Sequence, residues 1–105
     1  MGSHTPEARE LDTKTVVRSK IVCDYQAACL AEAGDLLIPI DEGSLSAELI
    51  YGDLGEIVVG KKKGRESDRD VTLFKSVGLS IQDISTAFHV YQKALRKGVG
   101  TEFEF

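Results

Sequence analysis

The sequence predicts an α/β fold, and three observations carry that expectation. First, Lys20-Ile-Val-Cys-Asp24 is an apolar run closed by an acid, the pattern of a buried strand in a parallel sheet. Second, an alanine-rich helix former over residues 25–33 follows it, ends at Gly34 and leads into another apolar run, which is βαβ order. Third, Val71-Thr-Leu-Phe-Lys-Ser-Val-Gly78 reads as a short strand and a tight turn feeding a long amphipathic helix over residues 79–97.

Taken in order, residues 13–17 suit a short helical turn before the first strand. The next apolar run, residues 36–40, is interrupted by Pro39, so a short irregular element is expected there. Asp41-Glu-Gly-Ser44 has turn chemistry, and residues 45–51 are ambiguous. Residues 53–59 can form a short helix stopped by Gly60. Residues 61–70 read as a polar loop, whose basic run Lys61, Lys62, Lys63 and Arg65 is answered by Glu66, Asp68 and Asp70. In the long helix, Ser80 and Asp83 fit a capping box, and Ile81, Ile84, Phe88, Tyr91 and Leu95 fall on one stripe. Its other face is Gln82, Ser85, Thr86, His89, Gln92 and Lys93; Arg96, Lys97 and Gly98 mark the end. Thr101-Glu-Phe-Glu-Phe105 alternates and predicts a terminal strand with one apolar face.

The chain has 105 residues, 42% hydrophobic and 29% charged, enough for one domain that folds without covalent staples. A net charge of −4 argues against nucleic acid, which demands a basic face. No run approaches the ~20 apolar residues of a membrane helix, and no basic-then-apolar leader opens the chain, so a cytoplasmic protein without membrane contact is expected. Cys23 and Cys29 lack zinc or redox spacing and read as reduced, buried thiols; His4 and His89 lack companion ligands, so no metal site is assigned.

The block Gly64-Arg-Glu-Ser-Asp-Arg-Asp-Val-Thr-Leu-Phe-Lys-Ser-Val-Gly-Leu-Ser-Ile-Gln-Asp83 is similar to the C-terminal signature of the ornithine cyclodeaminase and mu-crystallin family. That family includes an archaeal type of alanine dehydrogenase and ketimine-type imine reductases. Gly2-Ser-His-Thr-Pro-Glu-Ala-Arg-Glu-Leu-Asp12, Ala31-Glu-Ala-Gly-Asp-Leu36, Asp53-Leu-Gly-Glu56 with Gly60, and Gly98-Val-Gly-Thr101 resemble further family segments in family order. The resemblance implies that residues 1–78 are the closing part of a Rossmann-like NAD(P) domain. Residues 79–105 would then be a long helix and strand returning to a substrate and dimerisation domain, with a homodimer as the assembly. Met1-Gly-Ser-His4 also reads as a tag-cleavage remnant, although the family-like sequence continues through it without a break.

By the same resemblance, His4 occupies the position of the aspartate that serves ornithine cyclodeaminase as acid/base. Histidine also moves protons near neutral pH, but the exchange puts ornithine cyclodeamination in doubt and makes a reductase or dehydrogenase equally fitting. Ala8 stands where the family usually has lysine. Gly2 and Ser3 would lie beside the nicotinamide ribose, Ser76 would contact the dinucleotide, and Val77 would line the pocket for a small amino or imino acid. The cofactor implied is NAD or NADP. Yet none of the ten glycines forms G-x-G-x-x-G or G-x-G-x-x-A, the turn that lets main-chain amides approach a pyrophosphate. Two readings follow: the last third of an NAD(P)-dependent enzyme, inactive and without tight cofactor binding alone, or a non-catalytic module that associates with itself or completes an N-terminal partner chain.

Overall fold

The computed structural model describes residues 2–103. In chain order its elements are α1 (Thr13–Arg18), β1 (Lys20–Cys23), α2 (Gln26–Glu32), α3 (Gly34–Asp41), a 3-10 turn (Ala47–Leu49), β2 (Gly52–Asp53), α4 (Leu54–Val58), β3 (Thr72–Lys75) and α5 (Ser80–Lys97). The strands form one parallel sheet in the order β2, β1, β3. Ile21 pairs with Leu73 and Cys23 with Lys75, while Cys23 meets Asp53 on the other side. All three strands therefore end on the same edge of the molecule.

The α/β class expected from the sequence is the one observed. Val16, Ile21, Cys23, Cys29, Ala33, Leu36, Leu45 and Ile50 form the core, with Leu11, Leu73 and Val77 packed against it. Residues 45–51, ambiguous in the sequence, contain the 3-10 turn at Ala47–Leu49 and deliver Leu45 and Ile50 to that core. Residues 36–40 are not irregular: they lie inside α3, with Leu36 and Pro39 buried. Their spacing of three residues puts both on one helical face, and burial of that face outweighs the one rung of hydrogen bonding that proline removes.

Gly34, expected as a helix stop, is instead the first residue of α3 and has no left-handed backbone. Its reason is close approach. A Cβ there would lie 1.9 Å from the Ala8 carbonyl oxygen, and the Gly34 amide donates to the Thr5 carbonyl at 3.2 Å. Gly34→Ala is expected to cost about 1–3 kcal/mol in urea unfolding, because the N-terminal loop must move off α3. Gly55→Ala, with open space around it in α4, is the control and should stabilise by up to about 1 kcal/mol.

The 61–70 loop is more than a solvated tether. Lys62 donates to the Tyr51 carbonyl, and the Arg65 guanidinium bonds the Asp70 carbonyl and, at 2.8 Å, the Thr72 hydroxyl. Gly78, with φ of 98°, makes the turn into α5, and Gly98, with φ of 66°, ends that helix. The Val99 amide reaches back to the Ala94 carbonyl, as in a Schellman motif. The expected Ser80/Asp83 box does not form: Leu79 is the N-cap, its side chain has no acceptor, and its amide donates to the Gln82 side-chain oxygen at 3.3 Å. The expected terminal strand does not form at residues 101–103, and the rest of it lies outside the described residues.

No residue of α5 is buried, and Ile81, Ile84, Phe88, Tyr91 and Leu95 are each more than half exposed. The radius of gyration, 17.2 Å, reflects this. A compact chain of this length has about 13 Å.

Candidate functional site

In open α/β sheets, ligands gather beyond the carboxyl ends of the strands. Here that edge is built on two aspartates. Asp24 immediately follows β1, where its amide donates to the Lys75 carbonyl at 3.0 Å. Its Oδ1 accepts from the Tyr25 amide at 2.7 Å and the Cys29 thiol at 3.3 Å. Its Oδ2 accepts from the Ser76 hydroxyl at 2.8 Å, the Gly78 amide at 3.0 Å and Gln82 Nε2 at 3.4 Å. The turn from β3 into α5 is thus wrapped around one carboxylate.

Asp35, in the first turn of α3, does the same for the N-terminal loop. Its Oδ1 accepts from the Glu10 and Leu11 amides at 2.7 and 2.9 Å, and its own amide donates to Ser3 Oγ at 3.0 Å. Ser3 Oγ in turn donates to the Ala8 carbonyl at 2.7 Å. One residue therefore fastens both ends of the loop that carries His4. Asp35 Oδ2 also pairs with Lys75 Nζ at 3.1 Å, and both side chains are all but fully buried. Because Lys75 precedes Ser76, this ion pair ties the His4 loop to the Ser76-Val77-Gly78 turn.

Burial alone would raise the pKa of both aspartates, but the donors around them win. Asp24 is held below its ordinary value by Ser76 and the Tyr25 and Gly78 amides, and Asp35 by the Leu11 and Glu10 amides and Lys75. The Cys29 thiol is pushed up, first by its hydrogen bond with Cys23 and then by burial, so it stays protonated and able to donate. A carboxylate with a depressed folded pKa contributes stability above its unfolded pKa and loses it as pH falls through the folded value. Urea midpoints should therefore be level from neutrality to about pH 5 and fall below about pH 4. Asp24→Asn should lower the plateau and flatten the acid limb; an unchanged acid limb would show that Asp24 does not titrate with folding.

The residues singled out from the sequence fall into two groups. Ser3 and Ser76 are buried, and each hydroxyl donates its proton to an internal bond. Gly2 and His4 are exposed on the fastened loop, and among the described residues no hydrogen bond holds the imidazole. Val77 is half-buried, with one side against the core. Sequence reasoning missed Asp24, Asp35 and Lys75 as the organisers. The signal for Asp24 was the acid closing an apolar strand; for Lys75 it was a lone cation at the end of another.

With respect to a nicotinamide dinucleotide, this edge fits part of the group. It offers main chain at Gly2, Ser3 and the 76–78 turn, but the sequence has no glycine-rich turn for the pyrophosphate.

The family model of the ornithine cyclodeaminase/mu-crystallin family matches residues 1–98, so the segment Gly2-Ser-His4 lies within the match. A delta(1)-pyrroline-2-carboxylate reductase of Bacillus cereus is 43% identical over 106 residues, covering 100% of this chain and 33% of that protein. The structure of the Thermococcus litoralis delta(1)-pyrroline-2-carboxylate reductase with NADH and L-proline is 52% identical and superposes with a TM-score of 0.79, over 93% of this chain and 30% of that one. An archaeal alanine dehydrogenase dimer with bound NAD is 36% identical, with a TM-score of 0.74 over 97% of this chain and 32% of that one. The chain spans about a third of the length of the curated relatives it matches. From its ordered motifs to its backbone, the chain belongs to the ornithine cyclodeaminase/mu-crystallin family.

Proposed function

We propose that this chain is the C-terminal third of a cytoplasmic NAD(P)-dependent oxidoreductase acting on a small amino or imino acid, of the imine-reductase or dehydrogenase type. The observation that carries the reading is the Lys75–Asp35 ion pair, which fixes the His4 loop and the Ser76-Val77-Gly78 turn at one end of a parallel sheet. His4 in place of a carboxylate favours reduction of an imine over ornithine cyclodeamination, and relatives named as pyrroline-2-carboxylate reductases support that preference.

When bound, the cofactor supplies the hydride chemistry. The residues here do the rest. His4, exposed at the loop tip, gives or takes the proton at the substrate nitrogen, while the carbon exchanges hydride with the cofactor. By the family pattern, Gly2 and Ser3 would lie beside the nicotinamide ribose, Ser76 would contact the dinucleotide, and the exposed side of Val77 would line the substrate pocket. Two titrations test this: reduced dinucleotide added to the chain alone, and to a full-length form carrying the glycine-rich half, with 1-pyrroline-2-carboxylate as substrate. Binding and imine reduction only in the second is the expected result. Micromolar binding by the chain alone, or a full-length form that binds cofactor but reduces no imine, would overturn the reading.

The apolar stripe of α5 supports a homodimer, since five large exposed apolar side chains in one line exceed what a monomer normally leaves bare. Phe88→Glu with Tyr91→Glu should convert dimer to monomer. Wild-type chain that sediments as monomer at about 100 µM would count against the dimer.

A further inference from the structure

We propose, on the reading above that His4 is the proton-transfer group, that Gly34 is its positioning residue: the N-terminus of α3 holds the two residues that flank His4 and so sets where the imidazole stands. A reacting group on a loop is placed only as well as the backbone that carries it. The His4 side chain is exposed, so its place is decided by Ser3 and Thr5 on either side of it.

The first amides of a helix have no partner inside it and are satisfied from outside. In α3 two consecutive ones are taken by the His4 loop. The Gly34 amide donates to the Thr5 carbonyl at 3.2 Å, and the Asp35 amide donates to Ser3 Oγ at 3.0 Å. The loop is also closed on itself, since Ser3 Oγ donates to the Ala8 carbonyl at 2.7 Å and the Ala8 amide donates to the Thr5 carbonyl at 3.1 Å. This arrangement needs main chain directly against main chain. A Cβ at Gly34 would stand 1.9 Å from the Ala8 carbonyl oxygen and 2.9 Å from that of Pro6. The two sides of the contact are unequal. α3 is anchored by the fully buried Leu36 and Pro39 and by the Asp35–Lys75 ion pair, whereas His4, Thr5, Pro6 and Glu7 are exposed. When the contact is forced apart, the loop is the side that yields.

Gly34→Ala therefore displaces His4 without touching it. Ordinary contact of a Cβ begins at 3.4 Å, so the Ala8 carbonyl must retreat by about 1.5 Å. A misplacement of about 1 Å can cost ~10²-fold in rate when the displaced group has to meet a reacting atom. The kinetic loss acts through His4 and so disappears where there is no imidazole to misplace. A loss of fold or of some other contact would be the same with or without the imidazole.

The test is a double-mutant cycle of Gly34→Ala and His4→Ala in the full-length form, reading kcat for 1-pyrroline-2-carboxylate at saturating reduced dinucleotide. Gly34→Ala is expected to lower kcat by about 10-fold or more, and to lower it by less than about twofold when added to His4→Ala. Gly55→Ala, which meets open space in α4, should leave kcat as it is. Unchanged turnover in Gly34→Ala, or a loss of the same size in both backgrounds, overturns the proposal and leaves the functional reading standing. Full turnover in His4→Ala overturns that reading of His4 and the proposal with it. If Gly34→Ala does not fold, Ser3→Ala removes the bonds of the Ser3 hydroxyl to Ala8 and Asp35 and is followed in this chain by backbone nitrogen relaxation. Fast motion should then appear at the His4 amide while β1 and β3 stay rigid, and unchanged relaxation at His4 overturns the proposal.

Discussion

Replacing Lys75 with Met is expected to lower the unfolding free energy by about 3–5 kcal/mol, the range for removing one partner of a buried ion pair. The side chains of Lys75 and Asp35 are 3% and 2% exposed, so water cannot take the missing partner's place. Met preserves most of the volume, which keeps a cavity from confusing the result. What remains is a buried Asp35 carboxylate held by the Glu10 and Leu11 amides alone. Domains of this size are stable by only ~5–15 kcal/mol, so the loss is a large share of the total. It should also be local in its onset: amides of residues 3–11 should exchange faster before those of β1. Urea unfolding of Lys75→Met, Asp35→Asn and the double variant measures the coupling. A single-variant loss under about 1 kcal/mol would mean that the pair behaves like an exposed one.

How far this architecture is legible from the sequence depends on whether the signal is local. The strand at Lys20–Cys23, the helix at Ser80–Lys97 and the turn and stop at Gly78 and Gly98 follow from nearby residues and are readable. α3 is not, because Pro39 disfavours a helix locally and only the tertiary burial of Leu36 and Pro39 overrides that preference. Gly34 is readable as special but not for its true reason, a backbone contact with Ala8 some twenty-six positions earlier in the chain. The cap of α5 goes to Gln82 rather than Asp83 because Gln82 is also held by Asp24, 58 residues away. The candidate site shows the same division. Its positions come from family resemblance at His4, Ser76 and Val77, whereas the groups that hold them, Asp24, Asp35 and Lys75, are joined only by contacts across 24 to 54 residues.

In the full-length context, His4→Ala is expected to reduce turnover by about 10²-fold or more, the usual scale for losing a general acid or base. The structure makes this loss separable from misfolding. On one side of His4, the Ser3 hydroxyl bonds the Ala8 carbonyl and the Asp35 amide. On the other, the Thr5 carbonyl accepts from the Ala8 and Gly34 amides at 3.1 and 3.2 Å. The backbone is thus fixed by its neighbours, and the exposed imidazole contributes no hydrogen bond to it among the described residues. His4→Ala should therefore change stability by less than about 0.5 kcal/mol, as exposed substitutions do, while abolishing most of the chemistry. His4→Asp restores the group that the cyclodeaminase pattern places there and should retain more activity than His4→Ala. Its pH profile should also shift to the acid side, because a carboxylate titrates well below an imidazole. Equal turnover in all three proteins would assign proton transfer to another group and leave His4 as the tip of a well-fastened loop.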